Sequence, residues 1–186
     1  MTFYEIELKS IPKILFCGDI TVENYKNTFH NKKDFLELSL VLEGESHRIY
    51  KDKTQKICSP KMFDFINEYS DFETIAVAGK IVRHKTVGVS VEYSCVKREI
   101  SDFDDIDRLK RDIVEKGIIL VPDMVVLEEY YEKANSILQE TITAKMSNNP
   151  RYVLYSVYSL YKLFALLTEF WLDRIEKNFS AVTSNA

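Results

Sequence analysis

The sequence predicts an α+β chain, strand-rich over its first hundred residues and helical over most of the rest. Three observations carry this. Up to about residue 100, short extended segments alternate with turns: KILFCG, FLELSLVLEG, SHRIY, MFDFI, ETIAVAG and TVGVSVEYSCV. That rhythm belongs to an all-β sandwich or barrel. From residue 101 the apolar period changes to steps of three and four, the period of helices. The length of 186 residues suits one domain with a real core and a helical appendage, and is short for two large domains.

Within the strand-rich part, the polar run KDKTQ between SHRIY and KICSP reads as a hairpin turn. Pro60 caps the next segment, and Gly79 and Gly88 punctuate later ones. SDFDDIDRLKRDIVEKG then offers Ser101 as an N-cap, acidic residues in the first turn, Ile106, Leu109 and Ile113 on one face, and Gly117 as a stop. GIILVP is extended and closed by Pro122. Asp123 is expected to open a helix that carries Leu127, Tyr130, Tyr131, Ala134, Ile137, Leu138 and Ile142 and ends at SNNP, residues 147 to 150.

The last helix, from about Arg151 to Lys177, repeats Leu154, Val157, Tyr161, Phe164, Thr168, Trp171 and Ile175 in a heptad rhythm. At 1.5 Å per residue it is about 40 Å long, more than a small β domain needs as cover. Leu154, Val157, Tyr161, Phe164 and Trp171 are therefore expected to form a seam to a second copy. The plainer alternative is a buried core helix of a monomer. The chain divides into a β barrel over 1-100, a short helix and extended connection over 101-122, a two-helix dimerisation segment over 123-179, and a linker or tail over 180-186.

Composition narrows the function classes. Apolar residues make up 46% and charged residues 29%, as in ordinary globular proteins. A net charge of -4 lacks the basic excess of a free-standing nucleic-acid binder. Cys17, Cys58 and Cys95 are odd in number and far apart, which fits reduced cytoplasmic thiols and neither a disulfide framework nor a zinc site. The start, MTFYEIELKSIPK, has no apolar run of signal-peptide length. Residues 152 to 172 are long enough to cross a bilayer but carry Lys162 and Glu169, so no membrane span is expected.

The stretch DFLELSLVLEGES, residues 34 to 46, carries the functional signal. In a strand, Phe35, Glu37, Ser39 and Val41 face one way, and Leu36, Leu38, Leu40 and Leu42 face the other. The leucine face must be packed, which directs Glu37 and Ser39 to water or to the inside of a barrel.

Glu37 followed after six residues by Gly44 matches the spacing of the first cupin motif, and SPKMFDF is similar to the region of the second. The chain resembles a cupin jelly roll, a double-stranded β-helix. Metal-binding cupins place two histidines before that glutamate, whereas here only His30 falls at a permitted distance and Lys32 stands where its companion is expected. Met62 replaces a usual glycine, and Phe65 stands where a histidine binds metal. One His and one Glu fall short of the ligand set of a catalytic metal centre, so neither a metal nor a cofactor is expected.

A cupin-like barrel without metal ligands, followed by paired helices, resembles the effector-binding and dimerisation region of AraC-type transcriptional regulators. ELSLVLEGE with SPKMFDFIN is similar to the pocket-forming stretch of that family, and VLYSVYSLYKLFALLTEFWL resembles its interdomain helix. The resemblance implies a non-enzymatic sensor that binds a small polar or anionic effector and forms a homodimer. It also implies contact with DNA only through a helix-turn-helix domain expected beyond KNFSAVTSNA. Candidate effector contacts are Glu37, Ser39, His47, Arg48, Tyr50 and Asn67; Arg48 is suited to grip a carboxylate, and His47 and Arg48 point to opposite faces. The alternative is a small cupin isomerase or oxygenase that uses His30, Glu37 and another His on a divalent metal.

Overall fold

The computed structural model describes residues 2–76, 80–100, 106–147 and 151–183. The expected N-cap Ser101, the break at Gly79, the residues 148–150 of the expected helix end and the residues 184–186 of the expected tail lie outside them.

Eight strands form a nested hairpin. They are β2 (Lys13–Glu23), β3 (Lys26–Phe29), β4 (Phe35–Glu43), β5 (Ser46–Tyr50), β6 (Gln55–Cys58), β7 (Met62–Ile66), β8 (Phe72–Ala76) and β9 (Ile81–Ser90). β2 pairs with β9, β3 with β8, β4 with β7 and β5 with β6, all antiparallel. Two further pairings, β4 with β9 and β5 with β8, roll that long hairpin into two facing sheets. The sheet orders, β7-β4-β9-β2 and β3-β8-β5-β6, are those of a jelly roll.

Several strands have the bounds their alternation foretells, SHRIY and MFDFI among them. KDKTQ is the expected turn: Asp52 accepts from the Thr54 N–H and hydroxyl, and Lys53 takes φ +70°. TVGVSVEYSCV divides after Ser90 into β9 and β10 (Tyr93–Glu99). β1 (Thr2–Leu8) lies between β10 and β11 (Ile119–Pro122) in a separate three-stranded sheet.

Residues 123 to 130 are not the expected start of a helix. Met124–Val126 forms β12 on the β7 edge of the larger sheet, followed by a 3-10 turn at Glu128–Tyr130. The Asp123 carboxylate is held by Arg48 and Lys56, so it does not cap a helix. Its backbone joins the sheets, since its N–H donates to Thr2 O and its carbonyl accepts from Phe65 N. Glu128 adopts φ +50°, which a helix cannot continue through.

Three helices follow the strands or interrupt them. α1 (Ile106–Lys116) ends at Gly117, α2 spans Tyr131–Met146 and α3 spans Tyr152–Thr183. The main core joins the outer face of the larger sheet to the helices. Leu36, Leu38 and Leu40 of β4 and Val87 and Val89 of β9 meet Ile137 and Leu138 of α2 and Leu163, Phe164 and Trp171 of α3 in one buried cluster. The leucine face therefore packs on helices, as its alternation requires. Thr168 of α3 accepts the Leu120 N–H at 3.0 Å and fixes α3 to β11. No described helix is long and apolar enough to cross a membrane.

The seam expected on α3 is divided by this packing. Phe164 is 1% exposed and Trp171 is fully buried, so both belong to the core of their own chain and have no surface for a partner. Leu154 is 74% exposed and Tyr161 also reaches the surface, with Val157 between the two extremes. The stripe changes role along its length because the first turns of α3 run past the packed layer.

Trp171→Ala is expected to lower stability by about 3–5 kcal/mol and Leu38→Ala by about 2–5 kcal/mol. Leu154→Ala should stay within about 0.5 kcal/mol. Equilibrium urea unfolding distinguishes the three; near-neutral behaviour of Trp171→Ala would contradict the core assignment.

Candidate functional site

The opposite face of β4 looks into the space between the two sheets. Register places Glu37 beside Gly88 of β9 and Ile66 of β7, and Ser39 beside Thr86 and Asp64. The hydroxyls form a short relay: Ser39 Oγ donates to Thr86 Oγ1 at 2.8 Å, and Thr86 Oγ1 donates to Glu37 Oε1 at 2.9 Å. A Cβ on Gly88 would fall 2.2 Å from the Phe16 ring, so only glycine lets that ring close over this part of β9. At the end of β4, Gly44 has φ +77°, and a Cβ there would meet Ile81 O at 2.0 Å. The glycine at position 44 thus has a steric cause in this chain.

Arg48 enters the same space from β5. It is 1% exposed and forms ion pairs with Asp64 of β7 and, at 3.5 Å, with Asp123. It also donates to Phe65 O at 3.2 Å and lies 4.2 Å from the Phe72 ring centroid. Lys56 of β6 reaches the other oxygen of Asp123 at 2.8 Å. These contacts tie the smaller sheet to the larger one and to the β11–β12 junction. They also alter the role expected of Arg48: both its terminal nitrogens are committed to partners within the chain, which opposes its use as the grip for an anionic ligand.

The remaining candidates disperse. His47, on the outer face of β5, lies 2.9 Å from Glu45 Oε1 and points away from the inter-sheet space, as its opposition to Arg48 requires. Tyr50 packs on Phe72, with centroids 5.6 Å apart, in an aromatic group that fills one end of the roll with Phe29, Phe35 and Ile66. Asn67 is buried in a turn, where its side-chain oxygen accepts from Tyr69 N at 2.8 Å and its own N–H donates to Ser70 Oγ at 3.0 Å. His30 is a surface residue 3.4 Å from Asp71 and does not share a cavity with Glu37. Among the described residues, no three His, Cys, Asp or Glu side chains converge as metal ligands do.

Sequence reasoning misses Asp64, Thr86 and His84, which line or border the same space. Asp64 follows the alternation of MFDFI and could have been found by the test applied to Glu37. Thr86 and His84 become visible only once β9 is set in register with β4. A cavity of about 40 Å³ remains between the sheets, bordered by Tyr25, Phe29, Glu37, Ser39, Asp64 and His84 among others. A single water needs about 10–15 Å³ of such space, so the cavity has room for a small polar group. Burial raises the Glu37 pKa above its ordinary value of 4.5, against the opposing effects of the Thr86 and Ser39 hydroxyls and, last, of the Arg48 charge. Burial lowers that of His84, which favours the neutral ring.

No protein-family model matches the chain, and no curated protein does. Solved structures give distant likenesses. ToxT K231A from Vibrio cholerae is 10% identical, covering 94% of this chain and 59% of its own, with a TM-score of 0.47. The chain thus spans less than two thirds of the length of that protein. An ethanolamine utilization protein Q from Salmonella typhimurium is 20% identical over 44% of this chain and 69% of its own, with a TM-score of 0.33. The Cupin_2 domain of an XRE family transcriptional regulator from Enterobacter cloacae is 12% identical over 43% of this chain and 94% of its own, with a TM-score of 0.31.

Two predictions follow from the charges. Arg48→Ala leaves Asp64 without its ion-pair partner and Asp123 with Lys56 alone, and is expected to cost about 3–5 kcal/mol, measured by urea unfolding. A loss below about 1 kcal/mol would show that the ion pairs do not join the sheets. For Glu37, the raised pKa means that the folded chain holds the proton more tightly than the unfolded chain. Its contribution is full below 4.5 and is lost as pH rises through the folded-state value. Glu37→Gln should therefore gain thermal stability relative to the wild type between pH 4 and pH 7.5, and a constant difference over that range would refute the shift.

Proposed function

We propose that the chain is the effector-sensing domain of an AraC-type transcriptional regulator, with a small polar molecule bound between the sheets. One observation carries this reading. β4 presents Glu37, a largely buried carboxylate hydrogen-bonded, among the described residues, only by hydroxyls, to a cavity, while its reverse face packs on α2 and α3. A buried ionisable group without a counter-ion is costly for folding, and such groups concentrate where ligands bind. Because one strand forms both the cavity wall and the bed of the helices, a ligand that prefers one arrangement of β4 and β9 also biases the helices. The energy is the difference in its affinity for the two arrangements.

The helices would then present two surfaces. The exposed start of α3, with Val153, Leu154, Tyr155, Tyr158 and Tyr161, seats a second copy in a homodimer. The signal passes on to a helix-turn-helix domain that makes the DNA contacts in the cytoplasm. The replacement of cupin metal-ligand positions by Lys32 and Phe65 favours sensing over metal catalysis.

A thermal-shift panel of sugars, organic acids, amino acids and amines tests the sensor. At least one class should stabilise the chain by mass action, with about 2.7 kcal/mol at a hundredfold excess over Kd. Indifference to every class would sink the reading. For the dimer, sedimentation should show a two-chain species that Leu154→Glu with Tyr158→Glu converts to folded monomer; a monomeric wild type at high concentration would exclude the α3 seat.

A further inference from the structure

Resting on that sensing role, the geometry points to a ligand class: the cavity beside Glu37 takes a protonated amine, the ammonium head of a small molecule. The fixed charges set this choice. Arg48 and Lys56 balance Asp64 and Asp123 through the ion pairs already described. Glu37 has no such counterpart, since no described Lys, Arg or His forms an ion pair with it and its partners are the Thr86 and Ser39 hydroxyls. The inter-sheet space is therefore one positive charge short when Glu37 is ionised. An anionic ligand would meet two carboxylates there, with the nearest guanidinium already committed.

The walls of the cavity point the same way independently of its charge. Tyr25 and Phe29 border it with aromatic rings, and a ring face attracts a cation. Ser39 and Thr74 add hydroxyl oxygens that can accept from the three N–H groups of an ammonium. Its size of about 40 Å³ has room for such a head. Tyr25 and Phe29 are only half-buried and belong to the β3 edge of the smaller sheet, so the rest of the ligand leaves on that side. The bound ammonium supplies the missing counter-ion of Glu37 and holds it ionised.

Methylammonium is the probe, titrated into the whole chain and followed by the amide NMR signals of residues 37 to 39 and 84 to 88. Sodium chloride, methanol and sodium acetate serve as controls. A two-heavy-atom ligand binds weakly, so half-saturation is expected on the order of 10 mM at best. Glu37→Gln should weaken binding at least tenfold, and Tyr25→Leu, at a half-exposed edge, should weaken it if the first variant does not fold. Saturable shifts that survive Glu37→Gln unchanged would overturn the assignment, as would the same shifts with acetate or methanol. If a sugar or an acid moves these amides and methylammonium does not, the amine class falls while sensing stands. If nothing moves them, both fall.

Discussion

The pairing of β4 with β9 is the constraint on which the rest of the molecule depends. It closes the nested hairpin into two sheets, and both of its faces are covered. A slip of one residue would turn Leu36, Leu38 and Leu40 toward the cavity and Glu37 and Ser39 toward the helices. The leucines alone oppose such a slip strongly, since burying each contributes about 1.5–3 kcal/mol. Gly44 and Gly88 reinforce the register from opposite ends, one by its tight approach to Ile81 and the other by receiving the Phe16 ring. The position of Glu37 is thus a consequence of packing on the other side of its own strand.

A second set of contacts decides how freely the two sheets move. Arg48, Asp64, Asp123 and Lys56 join β5 and β6 to β7 and to the β11–β12 junction. β11 is in turn bound to α3 through Thr168. Charge pairs at such depth gain less net stability than apolar packing would, because their desolvation offsets much of their attraction. Their contribution here is geometric: they connect the interior of the roll to the helix layer by a route separate from the leucines of β4.

The two-faced character of β4 was legible in the sequence because strand alternation has a period of two and the leucine run is unbroken. The jelly roll was legible in the Glu37-to-Gly44 spacing and in the succession of short strands. The fate of Arg48 was not, because a guanidinium is chemically suited to an external anion and its partner Asp123 lies 75 positions away. Distance along the chain also hid β12, which pairs with β7; just before it, Asp123 reads locally as a helix cap and is used as an ion-pair partner. Phe164 and Trp171 were misplaced for a related reason: a heptad stripe marks an apolar face, and only the length of the packed layer decides which residues on it remain exposed.

The small cavity and the buried carboxylate have a joint consequence for how a sensor of this kind could work. A site already open to a large ligand would gain binding energy without altering its walls. A space of about 40 Å³ bounded by hydrogen-bonded strands has room for a small head group, and a ligand too large for it would have to displace wall residues such as Tyr25 and Phe29. Displacement of wall residues is what gives a ligand unequal affinity for two arrangements, and unequal affinity is the source of any shift between them. Glu37 itself stands on β4, whose reverse face packs on α2 and α3, so a ligand that displaced this wall would also displace the bed of the helices.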